Sequence, residues 1–145
     1  MNDTDPLMKE APVYIVAGDE MMKLMNRKQP GVQAIPFRDD LSKGSCPGFS
    51  FDGDFIASRA SFWGVSKADY AEKMSPIIHL DLSRRYILCF GNDDCCKANL
   101  RFMLGYLKSR GYARPVHVRI VDEYDLTPLE EYDLDWNNDH AAEKR

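Results

Sequence analysis

The sequence lacks the features of membrane, exported and nucleic-acid-binding proteins. No apolar run in its 145 residues approaches the roughly 20 that a membrane-spanning helix needs, so we expect no membrane contact. The first residues, MNDTDPLMKE, have neither the basic start nor the apolar core of a secretory signal, which favours a cytoplasmic location. The net charge of -4 makes nucleic acid an unlikely partner, because proteins that bind its backbone usually carry a basic surplus.

Zinc-type cysteine spacings are also missing. The four cysteines form no C-x-x-C pair and no Cys/His pattern, so the sequence predicts no metal site. Cys95 and Cys96 are adjacent at the predicted start of a helix, and the simplest interpretation is that one packs inward and one faces water. The alternatives are chelation of a soft metal or a strained disulfide. A helix N-terminus lowers the pKa of a thiol, so the exposed member of the pair is expected to be reactive.

Familiar catalytic motifs are absent as well. The first predicted strand is followed by Ala17-Gly18-Asp19 instead of G-x-G-x-x-G, and there is no Walker loop, H-E-x-x-H or G-x-S-x-G. The three histidines are scattered along the chain and have no evident partner for base catalysis. The sequence therefore names neither a cofactor nor a reaction.

Short apolar runs alternate with amphipathic stretches. Four runs predict strands, and the stretches between them have helical spacing: 13–17, 32–37, 85–90 and 115–121. This order predicts an α/β domain with an open, mainly parallel four-stranded sheet and helices on both faces, a Rossmann-like or flavodoxin-like three-layer arrangement. Pro36 indicates an edge position or an early end for the second strand.

The proposed boundaries are a flexible arm at 1–11, the α/β domain at 12–125 and an acidic tail at 126–145. Within the domain, Asp54 is expected to cap a helix that ends near Trp63. Asn92, Asp93 and Asp94 supply cap residues for the longest amphipathic helix.

Polar residues follow every predicted strand. Ligands of open parallel sheets bind beyond the carboxyl ends of the strands, so these positions are the site candidates. Acidic and amide residues there also serve as helix caps, which is the simpler interpretation for any single one. The positions are Asp19 and Glu20, Arg38 to Asp40, Asn92 to Asp94, and Asp122 and Glu123.

Arg59 is the second distinctive feature. It shares a helical face with Phe55, Phe62 and Trp63, where a charge is costly unless it is paired. Either its aliphatic stem covers apolar surface, or its guanidinium binds a carboxylate or phosphate. We expect Arg59 to meet Arg38, Asp39 and Asp40 at the mouth of the sheet, within salt-bridge or one-water distance.

Several of these segments together resemble the bacterial family called domain of unknown function 1835. The resemblance covers roughly Pro12 to Val121. The family has no established activity, so the resemblance implies a fold and a set of residues without a reaction. The matching segments are Val13 to Asp19, Phe37 to Gly44, Arg59 with Phe62-Trp63, Leu88 to Asp93, and Asn99-Leu100.

Two hypotheses of different class follow, and a third is weaker. The first is binding of a polar or anionic small molecule at the carboxyl edge of the sheet. The second is a non-catalytic interaction or regulatory domain whose Arg–Asp cluster is structural. Magnesium-dependent phosphoryl chemistry on a nucleic acid is the weaker third. The candidate ligand-binding residues are Asp19, Arg38, Asp39, Asp40, Ser42, Arg59, Trp63, Asn92 and Asp93.

Overall fold

The computed structural model describes residues 11–136, which form five strands and five helices. The strands are β1 (Val13–Val16), β2 (Gln33–Pro36), β3 (Tyr86–Phe90), β4 (Val116–Val121) and β5 (Pro128–Leu134). The helices are α1 (Asp19–Lys28), α2 (Gly53–Trp63), α3 (Lys67–Lys73), α4 (Ser75–Ile78) and α5 (Asp94–Ser109). Residues 1–10 of the predicted arm and 137–145 of the predicted tail lie outside the described range.

The strands form one open sheet in the order β2-β1-β3-β4-β5. The first four strands are parallel, and β5 runs antiparallel to β4. The predicted α/β class and mainly parallel sheet are confirmed. The predicted number of four strands is wrong, because β5 forms in the segment expected to be a tail. Pro36 ends β2 at the edge of the sheet, as expected.

The acidic composition of β5 explains why the sequence did not predict this strand. Tyr132 and Leu134 face the core, but Glu131 and Asp133, which alternate with them, are acidic and give the segment the composition of a tail. Those acids face His117 of β4, whose Nε2 and Nδ1 lie 2.7 Å from Glu131 Oε1 and 2.8 Å from Asp133 Oδ1. The polar side of β5 is therefore matched to a basic position on its neighbour.

The two faces of the sheet contact different helices. Val13 and Ile15 of β1 belong to the larger core, which includes residues of α2, α3, α4 and α5. Tyr14 and Val16 alternate with them and pack against α1 in a smaller core. Helices therefore cover both faces, and the loops after the strands meet at the carboxyl edge. Between residues 11 and 136, none of the helices combines the length and apolarity needed to cross a bilayer.

Side-chain caps start three of the helices. Asp52, rather than the predicted Asp54, caps α2 by accepting a hydrogen bond from Phe55 N at 2.9 Å. Ser66 caps α3, and Asp93, one of the three predicted cap residues of the longest helix, caps α5.

Candidate functional site

Arg59 lies fully buried in α2, and every N–H of its guanidinium has a protein acceptor. Nε and Nη2 donate to Asp39 Oδ2 and Oδ1 at 2.9 and 2.7 Å. Nη2 also donates to the carbonyl of Asp40 at 3.0 Å. Nη1 donates to the carbonyls of Lys43 and Ser45 at 2.7 and 2.9 Å. The arginine thus joins one carboxylate and three carbonyls of the segment that follows β2.

Asp39 is equally occupied, because its two oxygens accept five hydrogen bonds. Besides Arg59, the donors are Trp63 Nε1 at 2.8 Å, the Tyr70 hydroxyl at 2.6 Å and Asp40 N at 2.6 Å. Burial alone would raise the pKa of Asp39, but hydrogen bonds from Arg59, Tyr70 and Trp63 outweigh it and lower the pKa. We call Asp39, Arg59, Trp63 and Tyr70 the Arg59–Asp39 cluster.

Tyr70 stays a hydrogen-bond donor in this cluster. Its burial, its hydrogen bond to Asp39 and the charge of that carboxylate raise the pKa of the Tyr70 phenol far above its ordinary value. The Tyr70 hydroxyl therefore stays protonated and donates its hydrogen bond to the Asp39 carboxylate throughout the ordinary pH range.

Asn99 fixes the same segment from α5. Its buried amide donates to the carbonyl of Asp39 at 2.8 Å and accepts from Leu41 N at 3.0 Å. The sequence reasoning did not select Asn99 as a site residue. The available signal was an amide on the apolar stripe of α5, between Cys96 and Met103, where an unpaired polar group is costly.

Arg38 and Asp19 form a separate pair. Arg38 donates from Nε and Nη2 to Asp19 at 3.1 to 3.2 Å, and both side chains are partly exposed. The predicted meeting of Arg38 with Arg59 is therefore wrong. Arg38 follows β2 and Asp19 follows β1, so the adjacent strands bring these two side chains together.

Asp40 contacts its own loop with its side chain. Oδ1 accepts from Ser42 N at 3.0 Å and from Ser42 Oγ at 2.5 Å. Burial raises the pKa of Asp40, but the hydrogen bonds of Ser42 and Cys95 outweigh this effect and lower it. Only the backbone carbonyl of Asp40 reaches Arg59, so the expected contact between their side chains is not formed.

A cavity of about 250 Å³ lies beyond the carboxyl ends of β3 and β4. Asp93 is both a lining residue and the cap of α5, and the Cys96 N–H holds its pKa below the ordinary value. The pKa of Glu123 is raised, chiefly by its hydrogen bond with Asp93. The lining residues are Asn92, Asp93, Val121, Asp122, Glu123, Tyr124 and Leu129.

The cysteines contradict the expectation of a reactive thiol at the start of α5. Cys96 is buried and Cys95 is partly buried, and both are free. Burial raises the pKa of both thiols to about 12, and nearby carboxylates add to the shift. Within residues 11–136, no three His, Cys, Asp or Glu side chains are grouped closely enough to hold a metal ion.

Two consecutive aromatic side chains of α2, Phe62 and the cluster member Trp63, are exposed. Phe62 and Trp63 retain 46% and 40% of their surface, whereas Phe55 on the same helix is buried. The Phe62 ring lies 5.3 Å from the Arg59 guanidinium carbon and packs against Gly44. A Cβ at Gly44 would lie 2.6 Å from this ring, and φ is +78° there, so only glycine fits the contact without strain.

Comparison of the chain with protein-family models, with curated proteins and with solved structures returned no match. The predicted site residues fall into four separate groups. These are the buried Arg59–Asp39 cluster, the Asp19–Arg38 pair, the Asp40–Ser42 turn, and Asn92 with Asp93 at the cavity.

Proposed function

We propose that this chain is a non-catalytic protein-interaction domain in which the Arg59–Asp39 cluster is structural. The observation that carries the proposal is the complete use of the five N–H groups of Arg59 within the protein, three of them on carbonyls of the loop after β2. A ligand would have to break buried, charge-assisted bonds to reach either partner, and losing such a pair typically costs about 3–5 kcal/mol.

The cluster holds a loop in place for recognition. Residues 42–49 are all exposed, yet Arg59 and Asn99 bind the backbone of this segment and of the residues just before it. Ordering a free residue costs roughly 1–2 kcal/mol, so a loop that is already ordered binds a partner with a smaller entropic penalty. Phe62 and Trp63 lie exposed beside it, and tryptophan is enriched among residues that dominate interface energies.

Site-specific photocrosslinking in cells tests this proposal. A photoreactive amino acid at position 45, in the loop, is compared with one at position 97, on the exposed side of α5. We expect a discrete protein adduct from position 45 and none from position 97. Absence of a specific adduct from the loop would contradict the interaction function.

The second candidate is binding of a polar small molecule at the carboxyl edge, and the cavity beyond β3 and β4 favours it. Asp93 and Glu123 line this cavity, so its chemistry suits a cationic or polyhydroxylated molecule. An anionic ligand has less support, because Arg59 is occupied and Arg38 is paired with Asp19.

Native mass spectrometry of gently purified protein separates the two candidates. A small molecule retained in stoichiometric amount, and lost in Glu123→Gln, would establish the second candidate. A bare chain, or a complex with another protein, is the result expected of an interaction domain.

The resemblance to the domain of unknown function 1835 family remains part of this proposal, as does a cytoplasmic location. Asp39, Arg59, Trp63 and Asn99 all lie in the segments that carry the resemblance. If the resemblance holds, we expect its motifs to mark the residues that fix the loop after β2.

A further inference from the structure

A groove of about 230 Å³ runs between the second half of α5 and the end of β5. Its surface is mainly apolar, and two cationic side chains stand on α5 at its rim. The apolar lining consists of Phe49, Leu104, Gly105, Leu134 and Trp136, and the cations are Arg101 and Lys108.

The wall formed by Phe49 is fixed in position. Its ring lies over Gly105, where a Cβ would come within 2.5 Å of it, and its centroid is 6.3 Å from that of Phe102. Ser109 Oγ donates to the Phe49 carbonyl at 3.3 Å. Phe49 nevertheless keeps 47% of its surface exposed, so the groove is a formed surface with an aromatic side wall.

The two cations of the groove are not neutralised by acids of the part of the chain that the structure describes. Neither Arg101 nor Lys108 makes an ion pair with any residue in the described range 11–136, although the whole chain has a net charge of -4. They are seven residues apart on one helix, which places them about 10.5 Å apart along its axis. The indole N–H of Trp136 is buried and has no acceptor in the same range.

We infer that this groove binds an extended acidic segment of a partner protein, with one large apolar side chain between two carboxylates. In the polyproline II conformation, which has three residues per turn and a rise of about 3.1 Å per residue, carboxylates three positions apart lie on the same side of the segment and about 9 Å apart, close to the spacing of the two cations. The apolar side chain lies against Phe49 and Leu104. The inference rests on the proposed interaction function, and it names the chemistry of the partner.

Fluorescence anisotropy with the full chain tests the inference. The probe is the labelled octapeptide Gly-Ser-Glu-Leu-Ser-Glu-Ser-Gly. We expect the double variant Arg101→Glu with Lys108→Glu to weaken binding at least tenfold. The control, Lys67→Glu with Lys97→Glu, makes the same change in net charge outside the groove and should stay within twofold of wild type.

A charge exchange keeps the test independent of any loss of stability. The peptide with lysine in place of both glutamates should bind the double variant at least tenfold more tightly than it binds wild type. Replacing the peptide leucine by serine should weaken binding to wild type at least tenfold.

Four results would overturn the inference. Three come from the peptide experiments: equal binding by wild type and the double variant, an equal loss in the control, and displacement of the peptide by a single-stranded oligonucleotide at lower concentration than by unlabelled peptide. Self-association that disappears in the double variant would also overturn it, by assigning the groove to a second copy. If the peptide does not bind at the groove while adducts from position 45 persist, the proposed interaction function stands and only the proposed chemistry of the partner is wrong.

Discussion

Burying a guanidinium removes its hydration, and Arg59 recovers that loss only because all five of its N–H groups are bonded. The bonds link α2 to a loop that has no regular hydrogen-bonding ladder of its own. The Asp39 carboxylate balances the charge, and Trp63 and Tyr70 complete its hydrogen bonding. At the residue scale, the cluster substitutes for the backbone pairing that the loop lacks.

Replacing Arg59 by alanine should therefore be costly. We expect a loss of about 3–5 kcal/mol in the free energy of unfolding, because the Asp39 carboxylate is left buried without its cation. The matched control is Arg38→Ala, which removes a partly exposed pair and should cost less than about 1 kcal/mol. Urea denaturation followed by circular dichroism measures both. Similar losses in the two variants would refute a structural role for the cluster.

A second prediction concerns the order in which the cysteine thiols react. Burial raises the pKa of the Cys46 thiol, but its side chain is exposed, while Cys89 and Cys96 are buried. A thiol reagent such as Ellman's should modify Cys46 first in the folded chain, and Cys46→Ser should remove that fast phase. The buried thiols of Cys89 and Cys96 should react only as the protein opens. A fast phase that survives in Cys46→Ser would indicate that the start of α5 is accessible.

Part of the cluster could be predicted from the sequence. Arg59 shares a helical face with Phe55, where its charge needs a carboxylate partner. Asp39 was a candidate because it follows a predicted strand, and the two side chains do pair. Tyr70 and Asn99 carried no comparable signal, because their partners lie 31 and 60 residues away along the chain. Arg38 was expected to meet Arg59 and the two aspartates that follow it, but it pairs with Asp19, since sequence order does not show which strands are neighbours.

At the scale of elements, strands with continuous apolar runs were recognised and the strand with acidic alternation was missed. β1 and β3 are buried on both faces, which makes their runs conspicuous. In β5, only Tyr132 and Leu134 pack inward. The outward acids contact His117 and Arg119 of β4, and the Arg119 Nε donates to Glu131 at 3.4 Å. That pairing is a tertiary property, so composition alone suggests a tail.

A pair of leucines in β5 tests whether this strand belongs to the cooperative fold. Leu134 is 1% exposed and Leu129 is 56% exposed. We expect Leu134→Ala to lower the free energy of unfolding by about 2–4 kcal/mol, because it leaves a cavity in the larger core. Leu129→Ala should stay within about 0.5 kcal/mol of wild type. Equal, small effects of the two changes would mean that β5 docks without contributing to the core.

At the scale of the whole molecule, the carboxyl edge is acidic yet stable because most of its carboxylates are engaged in hydrogen bonds. At this edge, the pKa of Asp93 is lowered chiefly by the Cys96 N–H. Away from the edge, on β5, the pKa of Glu131 is lowered chiefly by its hydrogen bond with His117. Glu123 is the exception, since its hydrogen bond with Asp93 raises its pKa. The edge therefore contains carboxyl groups whose protonation in acid changes the free energy of unfolding in opposite directions.

The balance of these groups predicts that the protein loses stability in acid. A carboxyl whose pKa is lower in the folded chain contributes stability above its unfolded value, which is 3.8 for Asp39, and loses it as pH falls through the folded value. Glu123 has the opposite sign: its contribution is complete below its unfolded value of 4.5 and is lost as pH rises through its raised folded pKa. We expect Asp39 to dominate below about pH 4, because five donors hold its charge, whereas Glu123 is exposed.

Melting temperatures of wild type and Asp39→Asn, measured from about pH 6 down to about pH 2.5, test this balance. Asparagine keeps the size of aspartate but cannot lose a proton, so the variant should be less stable near neutrality and should have a shallower dependence on pH below about 4. The slope should not vanish, since Asp93 and Glu131 still titrate with lowered pKa values. Glu123→Gln serves as the control for the opposing group and should leave the acid limb unchanged. A limb in Asp39→Asn as steep as that of wild type would show that other carboxylates, and not the one bound to Arg59, control the acid stability of the fold.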